Sequence, residues 1–312
     1  MAKILLIGGN GFIGRNLGKV LALSGNEVVS LARSQAAIKD VYAALYVGDY
    51  RDGDTLNRAL EGVDVVVHLA HGSLQLSQSL DLTAEYETNI APTVMLMEQC
   101  LKNGIKRFIF VSSGGTVYGE SLKKIPLVED SVTAPISLYG TTKLILEHMI
   151  KLHVAQRNLP ALIVRPANAY GPGQIPFKGQ GLVATALASA AIGKPVNLFG
   201  DGSPVRDYVH VTDVANAIAD LINIGEPGQI YNIGSGVGTS TVDLLEKHIL
   251  PLVSKHGHTL EVRRLPERSV DVSYNVLNIE KLAQRTGYTP IPLELGLRET
   301  WEWILANRAL YE

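Results

Sequence analysis

Tyr139 and Lys143, four residues apart in "YGTTK", share one face of a helix if the stretch from Ile136 to Gln156 is helical, as its spacing predicts. A free phenol has a pKa of about 10, so half ionisation at neutral pH needs a drop of roughly 3 units, about 4 kcal/mol. A buried ammonium beside the phenol supplies a good part of that, and an oxidised nicotinamide ring would supply the rest. Tyr139 is therefore a candidate general base. A second constellation, "IGGNGFIG", sets Gly8, Gly11 and Gly14 directly after an apolar run and at the opening of a helical one. Glycines there let the backbone approach a pyrophosphate, and the helix that begins with Phe12 and Ile13 supplies free N–H groups and a partial positive charge.

Such side chains need an α/β frame to hold them. Short apolar runs ("KILLI", "EVVSLA", "AALYV", "DVVVHLA", "RFIFVSS", "ALIVRP") alternate with amphipathic stretches, one of them a long helix from about Glu85 to Asn103. Near-continuous apolar strands read as a parallel sheet covered on both faces, so the predicted fold is a doubly wound, Rossmann-type α/β sheet. After Pro166 the texture turns to Gly, Pro and polar residues, which marks the start of a smaller α/β C-terminal lobe. The expected division is a dinucleotide-binding domain over 1–166, with 205–232 returning to it, and a substrate lobe over 167–204 and 233–312.

The second apolar run ends in Ala32, Arg33 and Ser34, where a carboxylate would bond the adenosine ribose of NAD. A guanidinium and a hydroxyl suit a 2′-phosphate, hence NADP; equally, Arg33 can stack on adenine with NAD bound, and both stay open. Asp49, followed by Tyr50 in "VGDY", is a candidate for the adenine edge.

A net charge of −2 carries no footprint for nucleic acid, and the single cysteine, Cys100, excludes an intramolecular disulfide and reads as core. No apolar run approaches the ~18 residues that span a bilayer, and the four-residue run in "MAKILLIGG" is too short for a signal peptide, so a cytoplasmic protein without a membrane partner is expected. His68 and His71 form an H-x-x-H, but no third ligand accompanies them and no metal is expected.

Taken in order, Gly8-x-x-Gly11-x-x-Gly14, "GD" at Gly48-Asp49, "VVHLA", Asn89, "SSGGTVYG", Tyr139 with Lys143, "RPANAYGPGQ", "GDGSPVRDYVHVTDVA" and "YNIGSG" resemble the extended short-chain dehydrogenase/reductase superfamily. Within it the chain is similar to the nucleotide-sugar epimerase/dehydratase family over essentially its whole length. The resemblance implies an enzyme with NAD or NADP held by the glycine turn, Arg33, Ser34, Asp49, Tyr50, Leu69, Ala70, His71, Asn89, Ser112, Ala167, Tyr139 and Lys143. It implies a nucleotide-sugar partner gripped at its diphosphate by Arg206 and Arg268, with Asp271 near the ribose. Asn168, Gln180, Gly181, Leu182, Asn197 and Phe199 match positions that contact sugar and base, and the position gating a 2-acetamido group falls near Tyr274 or Asn275. A homodimer packing the long helix and the Tyr139 helix against their mates is also implied.

The family's catalytic hydroxyl stands twenty-five residues before its tyrosine, which lands here on Gly114. Three substitutes remain: Ser113, Thr116, or direct bonding of the substrate hydroxyl to Tyr139 with a water in the gap. Thr116 is preferred. The family's 4,6-dehydratases carry Asp and Glu just before "VYG"; Gly115 and Thr116 occupy those places, so water loss is not expected. The expected activity is reversible 4-epimerisation of a nucleotide-linked hexose, UDP-linked, through a 4-keto intermediate. The alternatives are an NADPH-dependent 4-ketoreductase of a nucleotide sugar and a dinucleotide-binding sensor that has lost turnover through Gly114.

Overall fold

The computed structural model describes residues 1–34, 41–72, 80–121, 123–179, 181–266 and 272–311. The first half runs β1 (Lys3–Ile7), α1 (Phe12–Leu23), β2 (Glu27–Ala32), β3 (Ala44–Val47), α2 (Gly53–Leu60), β4 (Val65–His68), α3 (Leu82–Glu85), α4 (Ala91–Lys102), β5 (Arg107–Val111) and α5 (Gly114–Val117). It continues through α6 (Leu138–Arg157), β6 (Ala161–Pro166), β7 (Asn168–Tyr170), α7 (Leu182–Ile192), β8 (Val196–Phe199), β9 (Val205–His210), α8 (Val211–Ile224) and β10 (Ile230–Ile233). The chain closes with β11 (Gly238–Ser240), α9 (Thr241–Asp243), α10 (Leu250–Ser254), β12 (Val262–Leu265), β13 (Tyr274–Asn275), α11 (Glu280–Thr286) and α12 (Leu293–Ala306).

Seven parallel strands in the order β10-β6-β5-β4-β1-β2-β3 form the main sheet, the doubly wound arrangement predicted from the apolar runs. Because strand side chains alternate, Ile4 and Leu6 of β1 face the core shared with α1 and α8, while Leu5 and Ile7 face the core shared with α2, α4 and α6. Burial on both faces is why these strands carry no polar alternation. A third core, around Trp301, Leu187 and Leu245, lies under α7 and α12. The chain runs one way from β1 to β3 and the other way from β4 to β6, so the crevice above the β1 and β4 ends is the sheet's topological switch point.

Three differences from the predicted elements have physical causes. The stretch read as one helix from Glu85 is α3 and α4 joined by a π turn at Tyr86–Ile90. Pro92 has no N–H to give to the Thr88 carbonyl four residues back, and the Tyr50 hydroxyl stands 3.5 Å from that oxygen instead. Helix α6 starts at Leu138 rather than Ile136 because the Ser137 side chain caps it, accepting from the Gly140 N–H at 3.1 Å. The stretch 205–232, read as returning to the large sheet, divides. Strand β9 hydrogen-bonds to β7, β11 and β13 in the smaller sheet, α8 packs on α1, and β10 joins the main sheet beside β6.

Candidate active site

The glycine turn occupies the switch point. Gly8 has φ +89, and a Cβ there would stand 3.0 Å from the Ala70 nitrogen; at Gly14 a Cβ would stand 2.6 Å from the Gly8 and Gly9 oxygens. The turn thus lies tightly between the ends of β1 and β4, and α1 begins at Gly11 with no side-chain cap on its first N–H groups. Phe12 and Ile13 form its first turn. The Asn10 Nδ2 donates to the Ser34 carbonyl at 2.6 Å, tying the turn to the end of β2, while the buried Asn10 Oδ1 has no protein partner. A cradle that side chains would fill, lined by uncapped N–H groups, fits a dinucleotide pyrophosphate.

Arg33 and Ser34 are exposed at the β2 end. Asp49 stands across from them but is drawn to Arg51, at 2.7 Å, and that hydrogen bond holds its carboxyl below the usual range. Tyr50 turns inward, its ring edge-on to His68 with centroids 5.3 Å apart. One support was not read from the sequence: the buried Tyr42 hydroxyl donates to the Gly9 carbonyl at 2.7 Å, and Gly18 leaves room for its ring. It stands just before the apolar run "AALYV", where no local pattern singles it out.

At the ends of β4 and β5 the candidate reacting groups gather. Lys143, 2% exposed, donates from Nζ to the Val111 carbonyl at 2.9 Å and lies 4.8 Å from the Phe110 ring centroid and 5.7 Å from that of Tyr139. Burial pulls its pKa down to about 8, against the upward pull of Glu147 and Glu85. Tyr139 is half-buried, and the protein packed round it pushes the phenol up to about 12, against a lowering hydrogen bond from Ser113. Ser113, not the preferred Thr116, therefore brings its hydroxyl to the phenol; Thr116 turns its Oγ1 back toward the Ser113 carbonyl at 3.5 Å. The reason lies in the backbone, because Ser113 is still extended (φ −150, ψ 105) while Thr116 lies in the helical turn α5. Gly114 cannot carry the hydroxyl, since a Cβ there would stand 2.6 Å from Leu277 Cδ1 and 2.9 Å from the Arg165 carbonyl.

Around this centre, Asn89 takes the Gly72 N–H on Oδ1 at 2.7 Å and donates from Nδ2 to Glu85 at 2.9 Å. The Leu69 N–H bonds the Ile7 carbonyl and the Ala167 N–H bonds that of Ile233, fixing the strand ends on either side. His68 and His71 diverge: the Nε2 of His68 meets Thr93 at 2.9 Å and that of His71 meets Glu85 at 3.3 Å. Among the described residues no group of three or more His, Cys, Asp and Glu stands together for a metal. Cys100 is buried in the core, its thiol pushed up to about 12 by burial.

A network that the sequence reading missed braces the site from below. Glu147 accepts from Arg165 at 2.5 and 3.0 Å and from Ser112 at 2.5 Å, and Arg165 also donates to the Tyr118 hydroxyl at 2.9 Å. Glu147 follows Lys143 by one helical turn, which is the only trace of this link in the sequence.

The smaller sheet faces this cluster. Asn168 stands opposite Gly115 and donates to the Asp207 carbonyl at 3.3 Å. Asn275, fully buried, donates to the Gly114 carbonyl at 3.0 Å, leaving its Oδ1 with no partner, and pairs in register with Arg206. The Arg206 NH1 donates to its neighbour's Val205 carbonyl at 3.0 Å. Gly181 and Leu182 begin α7, and Asn197 and Phe199 lie on β8, paired with β12. Gln180, Arg268 and Asp271 lie outside the described residues.

A glycine turn at a switch point with a tyrosine, a lysine and a serine hydroxyl beside it defines a dinucleotide-dependent enzyme of the extended short-chain dehydrogenase/reductase class. Residues 4–234 match the NAD dependent epimerase/dehydratase family, and the chain belongs to that family. It is 31% identical to the UDP-glucose 4-epimerase of Halalkalibacterium halodurans over 96% of this chain and 95% of that protein. Its fold matches the Thermotoga maritima UDP-glucose 4-epimerase solved with UDP-glucose, with TM-score 0.88, 32% identity and coverage of 96% and 98%. It also matches the dTDP-glucose 4,6-dehydratase of Bacillus anthracis in complex with NAD, with TM-score 0.87, 26% identity and coverage of 99% and 98%.

Proposed function

We propose that the protein interconverts the C4 epimers of a UDP-linked hexose, such as UDP-glucose and UDP-galactose or an N-acetylated or oxidised relative. A bound nicotinamide dinucleotide supplies the two-electron oxidation at C4 and its reversal. Tyr139 takes the proton of the C4 hydroxyl and returns it after the 4-keto sugar has turned over. Lys143 favours the phenolate by its charge, and the Ser113 hydroxyl hydrogen-bonds the same oxygen. Arg206, with Arg268, keeps the intermediate tethered by its diphosphate, so that it turns without escaping.

The observation that carries this reading is the turn Gly114–Val117 beside Tyr139. It brings a hydroxyl from Ser113 and no carboxyl, since Gly115 and Thr116 occupy the places where elimination of water needs an acid and a base. The likeness to a 4,6-dehydratase is thus taken as one of fold and oxidation chemistry. The UDP-glucose held by the Thermotoga neighbour supports the nucleotide.

The ketoreductase reading draws on one observation, the exposed Arg33 and Ser34 at the β2 end with Asp49 held by Arg51, a setting suited to NADPH. Purified protein given UDP-galactose and no added cofactor separates the two. Formation of UDP-glucose, lost in Tyr139→Phe, is expected. No conversion until NADPH and a 4-keto sugar are supplied would favour the reductase, and tight dinucleotide binding with no turnover of any sugar would favour the sensor. Mass spectrometry of the dinucleotide released on denaturation distinguishes NAD from NADP.

We further propose a cytoplasmic homodimer. Tyr86, Met95, Met149 and Leu152 expose apolar surface on the outer faces of the α3–α4 stretch and α6, which supports pairing there. Light scattering showing only monomer would contradict it. No helix among the described residues is long and apolar enough to cross a membrane.

A further inference from the structure

Beside Tyr139 and Lys143 lies a titratable couple that the proposed reaction leaves unused. The Nε2 of His71 stands 3.3 Å from Oε1 of Glu85, and their side chains are 8% and 6% exposed. The same oxygen takes the Asn89 Nδ2 at 2.9 Å, and Asn89 in turn takes the Gly72 N–H, so the carboxylate is anchored both to the π turn and to the segment that carries His71. The His71 ring meets the Tyr139 ring edge-on, with centroids 4.6 Å apart and planes at 78°.

The charged and titratable groups facing Lys143 come from three elements: Tyr139 and Glu147 from its own helix, Glu85 from α3, and His68 and His71 from the end of β4. Glu147 already faces the Arg165 guanidinium at 2.5 Å, and Glu85 brings a second carboxylate to the pocket from α3. Burial and the Lys143 charge hold the His71 imidazole neutral, far below its ordinary pKa. A carboxylate only accepts, so the neutral ring must carry its hydrogen on Nε2 to bond Glu85.

We infer that Glu85 and His71 are a positioning couple for Tyr139 and Lys143. The carboxylate fixes the imidazole through its Nε2–H, the imidazole edge confines the phenol ring, and the carboxylate charge helps keep the ammonium protonated. The couple rests on the proposed acid–base roles of Tyr139 and Lys143. No proton passes through it: a neutral His71 leaves the pocket with one cation, which acts on the phenol, instead of two that would repel an oxidised nicotinamide.

Glu85→Gln keeps the size and the acceptor oxygen and removes the charge. In cofactor-free protein, the Lys143 ammonium, followed by NMR of ε-carbon-labelled lysine, is expected to titrate about one unit lower than in the natural protein, because loss of a nearby negative charge disfavours the charged amine. In the loaded enzyme the alkaline limb of kcat is expected to move down by the same amount. His71→Ala removes the ring and is expected to lower kcat roughly tenfold to a hundredfold, with KM unchanged and the alkaline limb in place.

Identical Lys143 titration in Glu85→Gln and the natural protein, or an undiminished kcat in His71→Ala, overturns the inference. Should Glu85→Gln not fold, Glu85→Asp, which keeps the charge but withdraws it from His71, is expected to lower kcat without moving the limb, and an undiminished kcat overturns it. Because the lysine titration requires no sugar, a shifted Lys143 in a protein that turns over no nucleotide sugar would refute the proposed reaction and leave the charge coupling standing.

Discussion

Lys143 is a site where stability and activity are expected to pull apart. Its ordinary pKa of 10.5 falls to about 8 in the folded chain, chiefly through burial. At 1.36 kcal/mol per pKa unit, holding it charged costs the fold about 3 kcal/mol at neutral pH. Lys143→Met removes that cost. The substitution leaves the Val111 carbonyl without its donor, a loss of about 1 kcal/mol, while a thioether against Phe110 replaces the ammonium–ring contact. The variant should therefore be inactive yet more stable by about 2 kcal/mol at pH 7.

The pH dependence fixes the sign. Between pH 8 and 10.5 the unfolded chain keeps a proton that the folded chain has released, so stability of the natural protein rises with pH across that window. Below pH 8 the cost is fully present. Equilibrium urea unfolding of both cofactor-free proteins from pH 6 to pH 10.5 should show a constant advantage for Lys143→Met up to about pH 8. That advantage should then close and reverse by about 1 kcal/mol. Groups such as the Cys100 thiol titrate alike in both proteins and cancel in the difference. A variant less stable at pH 7, or a gap that does not change with pH, would refute the reasoning.

Two further tests address the hydroxyl and the brace. Ser113→Ala removes a hydrogen bond that lowers the Tyr139 pKa, so kcat should fall and the acidic limb of the pH profile should move up, whereas Thr116→Ala should leave that limb in place. Gly114→Ser, at the place the family interval designates, should not rescue Ser113→Ala and should cost about 1–3 kcal/mol by overpacking against Leu277 and the Arg165 carbonyl, measured by urea unfolding. Arg165→Met strands the buried Glu147 carboxylate and should cost about 3–5 kcal/mol, while replacing both residues by apolar ones should cost markedly less.

The parts of this protein legible in its sequence are those written at short range. The glycine spacing, the i, i+4 tyrosine and lysine and the apolar strands each depend on a few neighbouring residues and on the geometry of one element. The contacts missed depend on strand order. Tyr42 reaches the glycine turn only because β3 lies outside β2, and Asn275 reaches Gly114 across 161 positions only because β13 lies beside β9. No local pattern encodes such contacts.

The hydroxyl shows a subtler limit. An interval counted along the chain arrives at Gly114, but what a side chain can reach is decided by the pleat of the strand and the room beneath the turn. At Gly114 the floor is filled by Leu277 and by the end of β6. One residue earlier the backbone is still extended, and Ser113 can direct its hydroxyl toward the phenol. Thr116 lies one helical turn further on, where a hydroxyl finds a carbonyl three residues back as its nearest partner. The proposed function does not require the missing residue, because hydrogen bonding to Tyr139 requires a donor at the right place and not a donor at the right number.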